Sequence, residues 1–283
     1  MIKQAIIPLA GLGTRLLPLT SVFAKELLPI NGKPGIEYIL DECIDAGIKE
    51  IIFIISKKKM MIKKYFYNDK FYKNIIKNKN DPRIIAEYKK ILKYKKMIKF
   101  VFQNNPLGTG DAVLKTKKFI TNKYFLMLLP DDLIVKHNCS KSMISINKKF
   151  NSAVMASMKV HKNNVTRWGI YDVKKKINKN NFMIKRVVEK PSVKNAPSNN
   201  AVIGRYILPK TIFDKLSKLK PGKGNEIHIT DAIQLLIDDN EKFIGHNFIG
   251  KYLDCGTMNG YINSSVEISK IWKYVWLAQD MLV

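Results

Sequence analysis

Cysteine is scarce. The 283 residues hold three, Cys43, Cys139 and Cys255, and no Cys-x-x-Cys pair. Three thiols cannot all pair with one another, so the pattern argues against a disulfide framework and for free thiols in a reducing compartment. Cys43 falls among apolar residues and reads as a small buried hydrophobe. The four histidines show no metal spacing, and no nucleophile–base pairing stands out. No apolar run is long enough to cross a membrane, and no apolar leader follows Met1-Ile2-Lys3, so a cytoplasmic protein is expected. Acidic residues are outnumbered, 23 Asp and Glu against 50 Lys and Arg, for a net charge of +27. Gathered on one face, that excess would suit nucleic acid or an anionic membrane. It is instead spread through the chain, dense over 57–99 and again over 141–194, and accompanied by the Asn and Ile that an AT-rich genome favours. The expectation is a solvated lysine-rich surface with no nucleic-acid and no membrane partner, whose field would still draw in phosphorylated substrates.

What is present is a regular alternation. Residues 5–9, 50–56, 97–103 and 124–130 are short apolar runs of the kind buried on both faces of a sheet. Between them, 34–48 carries apolar residues at helical spacing with Gly47 as a stop, and "TGDAVLKTKKFI" also reads as a helix. Such alternation predicts an α/β fold with a mostly parallel central sheet flanked by helices, with ligands at the carboxyl ends of its strands. The lysine-dense stretch 57–99 suggests exposed helices. Segments 152–160, 168–173, 182–189 and 199–208 read as strands that extend the sheet or form a β-rich part over it. Thr230 is placed to cap a helix through "DAIQLLI". No internal repeat and no linker divides the chain.

The first apolar run leads into "AGLGTRLLPLTSVFAKELLPI". Glycines after a strand let backbone N–H groups converge on an anion. The spacing is not that of a dinucleotide-binding loop, because Leu16 stands where a third glycine would fall, and no Gly-Lys-Ser/Thr follows as in a Walker A loop. Glycines alone would mean an ordinary tight turn. Arg15 and Lys25 add two cations to the same turn, and amides, a guanidinium and an ammonium together suit a polyphosphate.

This stretch resembles the signature loop of the sugar-phosphate nucleotidyltransferases, and among them the bacterial UTP–glucose-1-phosphate uridylyltransferases. The resemblance continues, in the family's order, through "PLGTGDAVL", "LLPDDLI", "VVEKP", "APSNNAVIGRYIL", "GNEIHITDAI" and "YLDCGTMNGY", spanning most of residues 3–261; it weakens over 57–99 and beyond 265. It implies a Rossmann-like nucleotidyltransferase fold: a single domain with a nucleotide-binding part over 1–150, a smaller sugar-binding part over 151–256 and a C-terminal helix over 257–283. The implied reaction moves the uridylyl group of UTP onto α-D-glucose 1-phosphate. A sibling enzyme using dTTP or another sugar 1-phosphate, a non-catalytic nucleotide-sugar-binding regulator and a basic RNA-binding protein are the competing readings.

Carried over by position, the resemblance implies that Ala10, Gly11 and Gly13 wrap the nucleotide, with Arg15 and Lys25 on its phosphates. Gln103, whose amide can donate and accept at once, would read uracil together with Gly108. On an extended segment Asp131 and Asp132 point opposite ways; the match places Asp131 in the site, and Asp132, standing where relatives can carry an apolar residue, is left out. Asp254 lies far off in sequence, and if the two carboxylates converge they could hold Mg2+ through oxygen ligands. Gly169 would let the sugar lie against backbone, Glu189 would accept sugar hydroxyls and Lys190 would contact the sugar phosphate. Glu226 matches a family acid without an evident role. The tail "YINSSVEISKIWKYVWLAQDML" reads as a helix whose aromatics pack on a partner subunit, making a homo-oligomer, dimer or tetramer, the expectation.

Overall fold

The computed structural model describes residues 1–280, and the side chains of 1–222 and 224–271. Strand β1 (Gln4–Pro8) is followed by the small hairpin β2 (Pro29–Ile30) and β3 (Lys33–Pro34), then helix α1 (Gly35–Asp45) and β4 (Glu50–Ile55). Three helices, α2 (Met60–Tyr67), α3 (Asp69–Lys79) and α4 (Pro82–Lys95), cross over to β5 (Ile98–Phe102). Helix α5 (Gly108–Leu114), β6 (Tyr124–Leu128), β7 (Asp132–Val135), α6 (Cys139–Phe150) and β8 (Ala153–Lys159) complete the first half. The second half runs β9 (Gly169–Lys176), β10 (Asn181–Glu189), β11 (Asn200–Pro209), α7 (Ile212–Leu216), α8 (Ile229–Asp238), β12 (Phe243–Asn247), β13 (Lys251–Asp254) and α9 (Met258–Asp280).

Nine strands form one sheet in the order β5-β4-β1-β6-β11-β8-β12-β10-β9. The strands β5, β4, β1 and β6 are mutually parallel, as the alternating pattern predicts. Beyond them the expectation of a mostly parallel sheet fails. Strand β11 runs antiparallel to β6 and β8, and β10 antiparallel to β12 and β9; only the β8–β12 pair is parallel. The sheet is mixed because no helix separates β9, β10 and β11. Parallel neighbours need a crossover of a dozen or more residues, whereas the four residues from Ile177 to Asn180 can only turn β9 back into β10. The strand-like segments of the second half thus extend the same sheet.

Residues alternate between two cores, one on each face. Ile7, Phe53, Leu126 and Leu128 pack toward α1, α2, α4 and α6. Ile6, Ile52, Ile54, Phe125 and Met127 pack toward α5, α7 and α8. The lysine-dense stretch is helical, with its apolar stripe turned inward: Phe66 lies edge-on to both Phe53 and Tyr94. Buried Glu37 on α1 tethers it through Lys90 at 2.9 Å and the Tyr65 hydroxyl. All three cysteines are buried and free. Helix α8 begins at Ile229, so Thr230 sits in its first turn and does not cap it. Of the tail aromatics read as partner-facing, Tyr261 donates its hydroxyl to the Pro29 carbonyl at 2.6 Å within the chain, and Trp272, Tyr274 and Trp276 lie outside the described side chains. No described helix is long and apolar enough to cross a membrane.

Where the parallel half meets the antiparallel half, Arg205 on β11 is 0% exposed. Its Nε donates to both Glu42 carboxylate oxygens at 3.0 and 3.1 Å, and Nη2 to Oε2 at 2.8 Å. Its Nη1 donates to the carbonyls of Gly204 and Leu129 at 2.9 and 3.2 Å, and the Ser140 hydroxyl donates to Glu42 at 2.5 Å. Removing one member strands a buried charge, at a cost of about 3–5 kcal/mol. Arg205→Leu should therefore lower unfolding free energy by that amount in urea titrations. The double change Glu42→Leu/Arg205→Leu should recover much of the loss. A single variant within about 1 kcal/mol of the parent protein would contradict the pair's importance.

Candidate active site

The opening loop leaves β1 with Leu9 and Ala10 still buried, then rises to solvent at Gly11. Gly13 sits at φ 72°, where a side chain is disfavoured, and its carbonyl accepts the Thr20 hydroxyl at 2.9 Å. That bond folds the loop back over the short turn Lys25–Leu27. There neighbouring charges part company. The Lys25 ammonium lies 2.8 Å from Asp131 Oδ2. Glu26, 4% exposed, takes Lys59 at 2.7 and 2.8 Å. Burial pushes the Lys59 amine down, and Glu26 offsets part of that. Arg15, its side chain 65% exposed, reaches the same Asp131 oxygen at 3.5 Å.

Asp131 arrives at the end of β6. Burial alone would push its carboxyl up; the Lys25 ammonium, a backbone N–H and Arg15 together outweigh burial, and the net position is below the usual carboxylate range. The same pair raises Lys25, whose burial Asp131 overcomes. Asp132 faces the other way, as adjacent residues on an extended segment should. It accepts the Tyr252 hydroxyl at 2.7 Å and the Gly204 amide at 2.8 Å. Burial first, and then the Asp131 charge, push it up to about 6.

Asp254 ends β13, which pairs with β7 so that Asp254 stands opposite Asp132. The Cys255 amide donates to the Asp131 carbonyl at 2.8 Å, and the Gly256 amide to Asp254 Oδ1 at 2.9 Å. A Cβ on Gly256 would lie 2.8 Å from Asp131 Oδ2, 2.9 Å from Arg15 Nη2 and 3.2 Å from Asp254 Oδ1. The fold thus gathers two acids, more than a hundred residues apart, and Arg15 around one backbone position. No group of three or more His, Cys, Asp or Glu suited to a metal occurs among the described residues. The carboxylate pair suits a hard divalent cation that draws its remaining oxygens from ligand and water.

Gln103 follows β5 and is 5% exposed. Its amide nitrogen donates to the Gly108 carbonyl at 3.0 Å and to Asp111 Oδ2 at 2.8 Å. Both N–H groups are therefore spent within the chain, and only the amide oxygen is left for a ligand. Gly108 sits at φ 92°, and a Cβ there would lie 2.6 Å from the Ile227 carbonyl and 2.9 Å from Glu226 Cβ. The Gly110 amide donates to that carbonyl at 2.7 Å, and the Ile227 amide to Leu107 at 2.8 Å. Glu226 thus belongs to a segment that braces the loop after β5.

Gly169 and Glu189 pair directly across β9 and β10, and a Cβ on Gly169 would lie 3.1 Å from Glu189 Oε2. Both Glu189 and Lys190 are exposed, their charges 4.0 Å apart. Lys190 takes φ 43°, and its amide donates to the Trp168 carbonyl at 3.1 Å. Arg167, which the motifs did not single out, stacks 4.7 Å over Trp168 and lies 3.9 Å from Asp254 Oδ2. It connects the β9–β10 edge to the carboxylate pair, beside a cleft of 820 Å³ lined by Arg167, Trp168, Tyr252 and Asp254. Also missed were Asp111, the Glu26–Lys59 pair and the Glu42–Arg205 pair. Each is joined only by folding, and no local spacing announces it.

A family model described as nucleotidyl transferase matches residues 4–271. A UTP–glucose-1-phosphate uridylyltransferase of Streptococcus pyogenes is 36% identical over 273 residues, covering 94% of this chain and 88% of that protein. A crystal structure of UDP-glucose pyrophosphorylase complexed with UDP-glucose superposes with a TM-score of 0.82 at 36% identity, covering 95% of this chain and 99% of the other. A UTP-bound UGPase from Acinetobacter baumannii gives 0.88 at 32% identity, covering 100% and 98%.

Two glycines separate packing from ligand approach. A Cβ on Gly11 meets nothing within 4 Å, whereas one on Gly108 meets backbone. Gly11→Ala should keep the melting temperature and weaken nucleoside triphosphate binding in calorimetric titration. Gly108→Ala should cost at least about 1 kcal/mol of stability, from the positive φ alone. A Gly11→Ala protein that binds nucleotide like the parent would remove Gly11 from the site.

Proposed function

The chain belongs to the nucleotidyl transferase family, and on that premise we propose that it moves the uridylyl group of UTP to α-D-glucose 1-phosphate, releasing pyrophosphate and UDP-glucose. The observation that carries this reading is the convergence of Arg15, Lys25, Asp131 and Asp254 beside the glycine loop. A phosphate oxygen of the sugar phosphate attacks the α-phosphorus in line, forming the new P–O bond as the bond to the β-phosphate's bridging oxygen breaks. The chain has little covalent chemistry to perform, and positioning with charge neutralisation supplies most of the catalysis.

In this reading the amides of Ala10, Gly11 and Gly13 and the cations Arg15 and Lys25 hold the triphosphate and steady the departing pyrophosphate. Lys25 is presented by its pair with Asp131, and Arg15 is free enough to follow the phosphates. Gln103 and the backbone around Gly108 meet the base. Gly169 and Glu189, face to face on β9 and β10, hold the sugar, and Lys190 orients the attacking phosphate. Asp131 and Asp254 would hold Mg2+, which when bound offsets charge on the phosphoryl oxygens. We assign 1–150 to nucleotide binding, 151–256 to the sugar and 257–283 to a C-terminal helix of a cytoplasmic homo-oligomer.

Pyrophosphate release over a grid of nucleoside triphosphates and sugar 1-phosphates tests the substrate pair: UTP with glucose 1-phosphate should lead. ATP turnover as efficient as UTP turnover would sink the reading, and binding without turnover would favour a regulator. Asp131→Asn and Asp254→Asn should each lower kcat by roughly a hundredfold, on the scale of one preorganised electrostatic contact. Acting on one ion, the double variant should be little worse than the poorer single one, and EDTA should stop the parent protein. Fully multiplicative losses would mean two separate roles.

A further inference from the structure

Asp111 is assigned no role by the motifs, yet its carboxylate holds the residue proposed to meet the base. The Gln103 backbone amide donates to Ile55 at 2.9 Å, so the start of this side chain is fixed by the sheet. Its amide nitrogen then meets two partners that can only accept, the Gly108 carbonyl and Asp111 Oδ2. Asp111 is 8% exposed in the first turn of α5, and its other oxygen lies 3.3 Å from Lys115, one turn on. Turning the Gln103 amide over would set its oxygen against a carbonyl and a carboxylate while stranding two N–H donors. A buried amide in that position has one orientation.

We propose that Asp111 is a specificity-determining positioning residue: it commits Gln103 to meet the base as an acceptor only, so the site takes pyrimidines that carry an N3–H and rejects cytosine. Uracil and thymine both present N3–H between two carbonyls, and that hydrogen satisfies Gln103 Oε1. Cytosine has a lone pair at N3, which leaves two acceptors face to face in a site of buried polar groups, the arrangement that discriminates most strongly between ligands. The selection lies in the polarity of one amide, and Asp111 sets it from eight residues away without touching the base. Gln103 by this account does not separate uracil from thymine. The inference rests on the nucleotide-binding half of the function proposed above.

Calorimetric titration of the full chain with UTP and with CTP, in the absence of sugar phosphate, tests it in the parent protein, Asp111→Ala and Asp111→Ser. The parent should bind UTP about a hundredfold or more tighter than CTP, and each variant should shrink that ratio by about tenfold, the scale of one hydrogen bond to a charged group. Thermal melts identify the folded variants, and if Asp111→Ala does not fold, Asp111→Ser decides by the same criterion. An unchanged UTP-to-CTP ratio in a folded variant overturns the proposal, including the case where both affinities fall equally, as a merely structural role requires. A parent protein that binds CTP as tightly as UTP also overturns it. Pyrophosphate release is read separately. If the binding ratios behave as expected and no pyrophosphate is released from UTP and glucose 1-phosphate, the transfer reaction fails and the base selection stands.

Discussion

A buried arginine holds the two halves of this molecule together. Arg205 spends donors on both oxygens of Glu42 and on the carbonyls of Gly204 and Leu129, and Ser140 completes the carboxylate. Burial disfavours the guanidinium charge, but Glu42 outweighs it and holds its pKa above the usual value. Two charges leave water only if nearly every donor and acceptor finds a partner, and here they do. The position matters as much as the energy. Arg205 pairs across the sheet with Leu128, the last residue of β6, where parallel strands give way to antiparallel ones. Its grip on the Leu129 carbonyl fixes the chain two residues before Asp131, and thereby the depth at which that carboxylate stands.

Around this anchor, neighbouring charged residues turn to opposite sides. Lys25 faces the cleft through Asp131 while Glu26 turns inward to Lys59. Asp131 serves the cleft while Asp132 is consumed by Tyr252 and Gly204. The inward member of each pair bonds within the fold, Glu26 to the Lys59 side chain and Asp132 to the Tyr252 hydroxyl and the Gly204 amide, so that its neighbour is held in place. Preorganisation of this kind is what a phosphoryl-transfer site needs, because its work is positioning and charge. Lys59 shows that the lysine-dense stretch 57–99 is not only solvated surface. One of its lysines is buried and pairs with Glu26 beside Lys25.

The site is also assembled from unequal materials. On one side, loops follow the parallel strands, whose carboxyl ends place the glycine loop, Gln103 and Asp131 along one edge. On the other side, Gly169 and Glu189 sit on antiparallel strands near the end of the sheet with Lys190 just beyond them; Gly169 is buried, and the Glu189 and Lys190 side chains are exposed. Arg167 and Trp168 span the gap to Asp254.

Much of this was legible along the chain. Apolar runs at 5–9, 50–56, 97–103 and 124–130 located four strands to within two residues; β1, β4 and β6 are buried on both faces and need little but their own apolar side chains, whereas β5 at the sheet edge is half-exposed. The glycine loop with Arg15 and Lys25 was also a local fact; the alternation of an extended segment said only that Asp131 and Asp132 point opposite ways, and the choice of Asp131 came from the resemblance. Strand direction in the second half was not local, since it depends on whether a helix or a short turn intervenes, and the segments 168–173 and 182–189 look the same either way. Nor could the residues announce which charges would be partners. Gln103 reads as an amide free to donate and accept until Asp111 takes its nitrogen. Glu42 and Arg205 are separated by 163 positions. Periodicity records which side of an element is buried. What a buried polar group meets there depends on the packing of remote elements, and only the tertiary structure decides it.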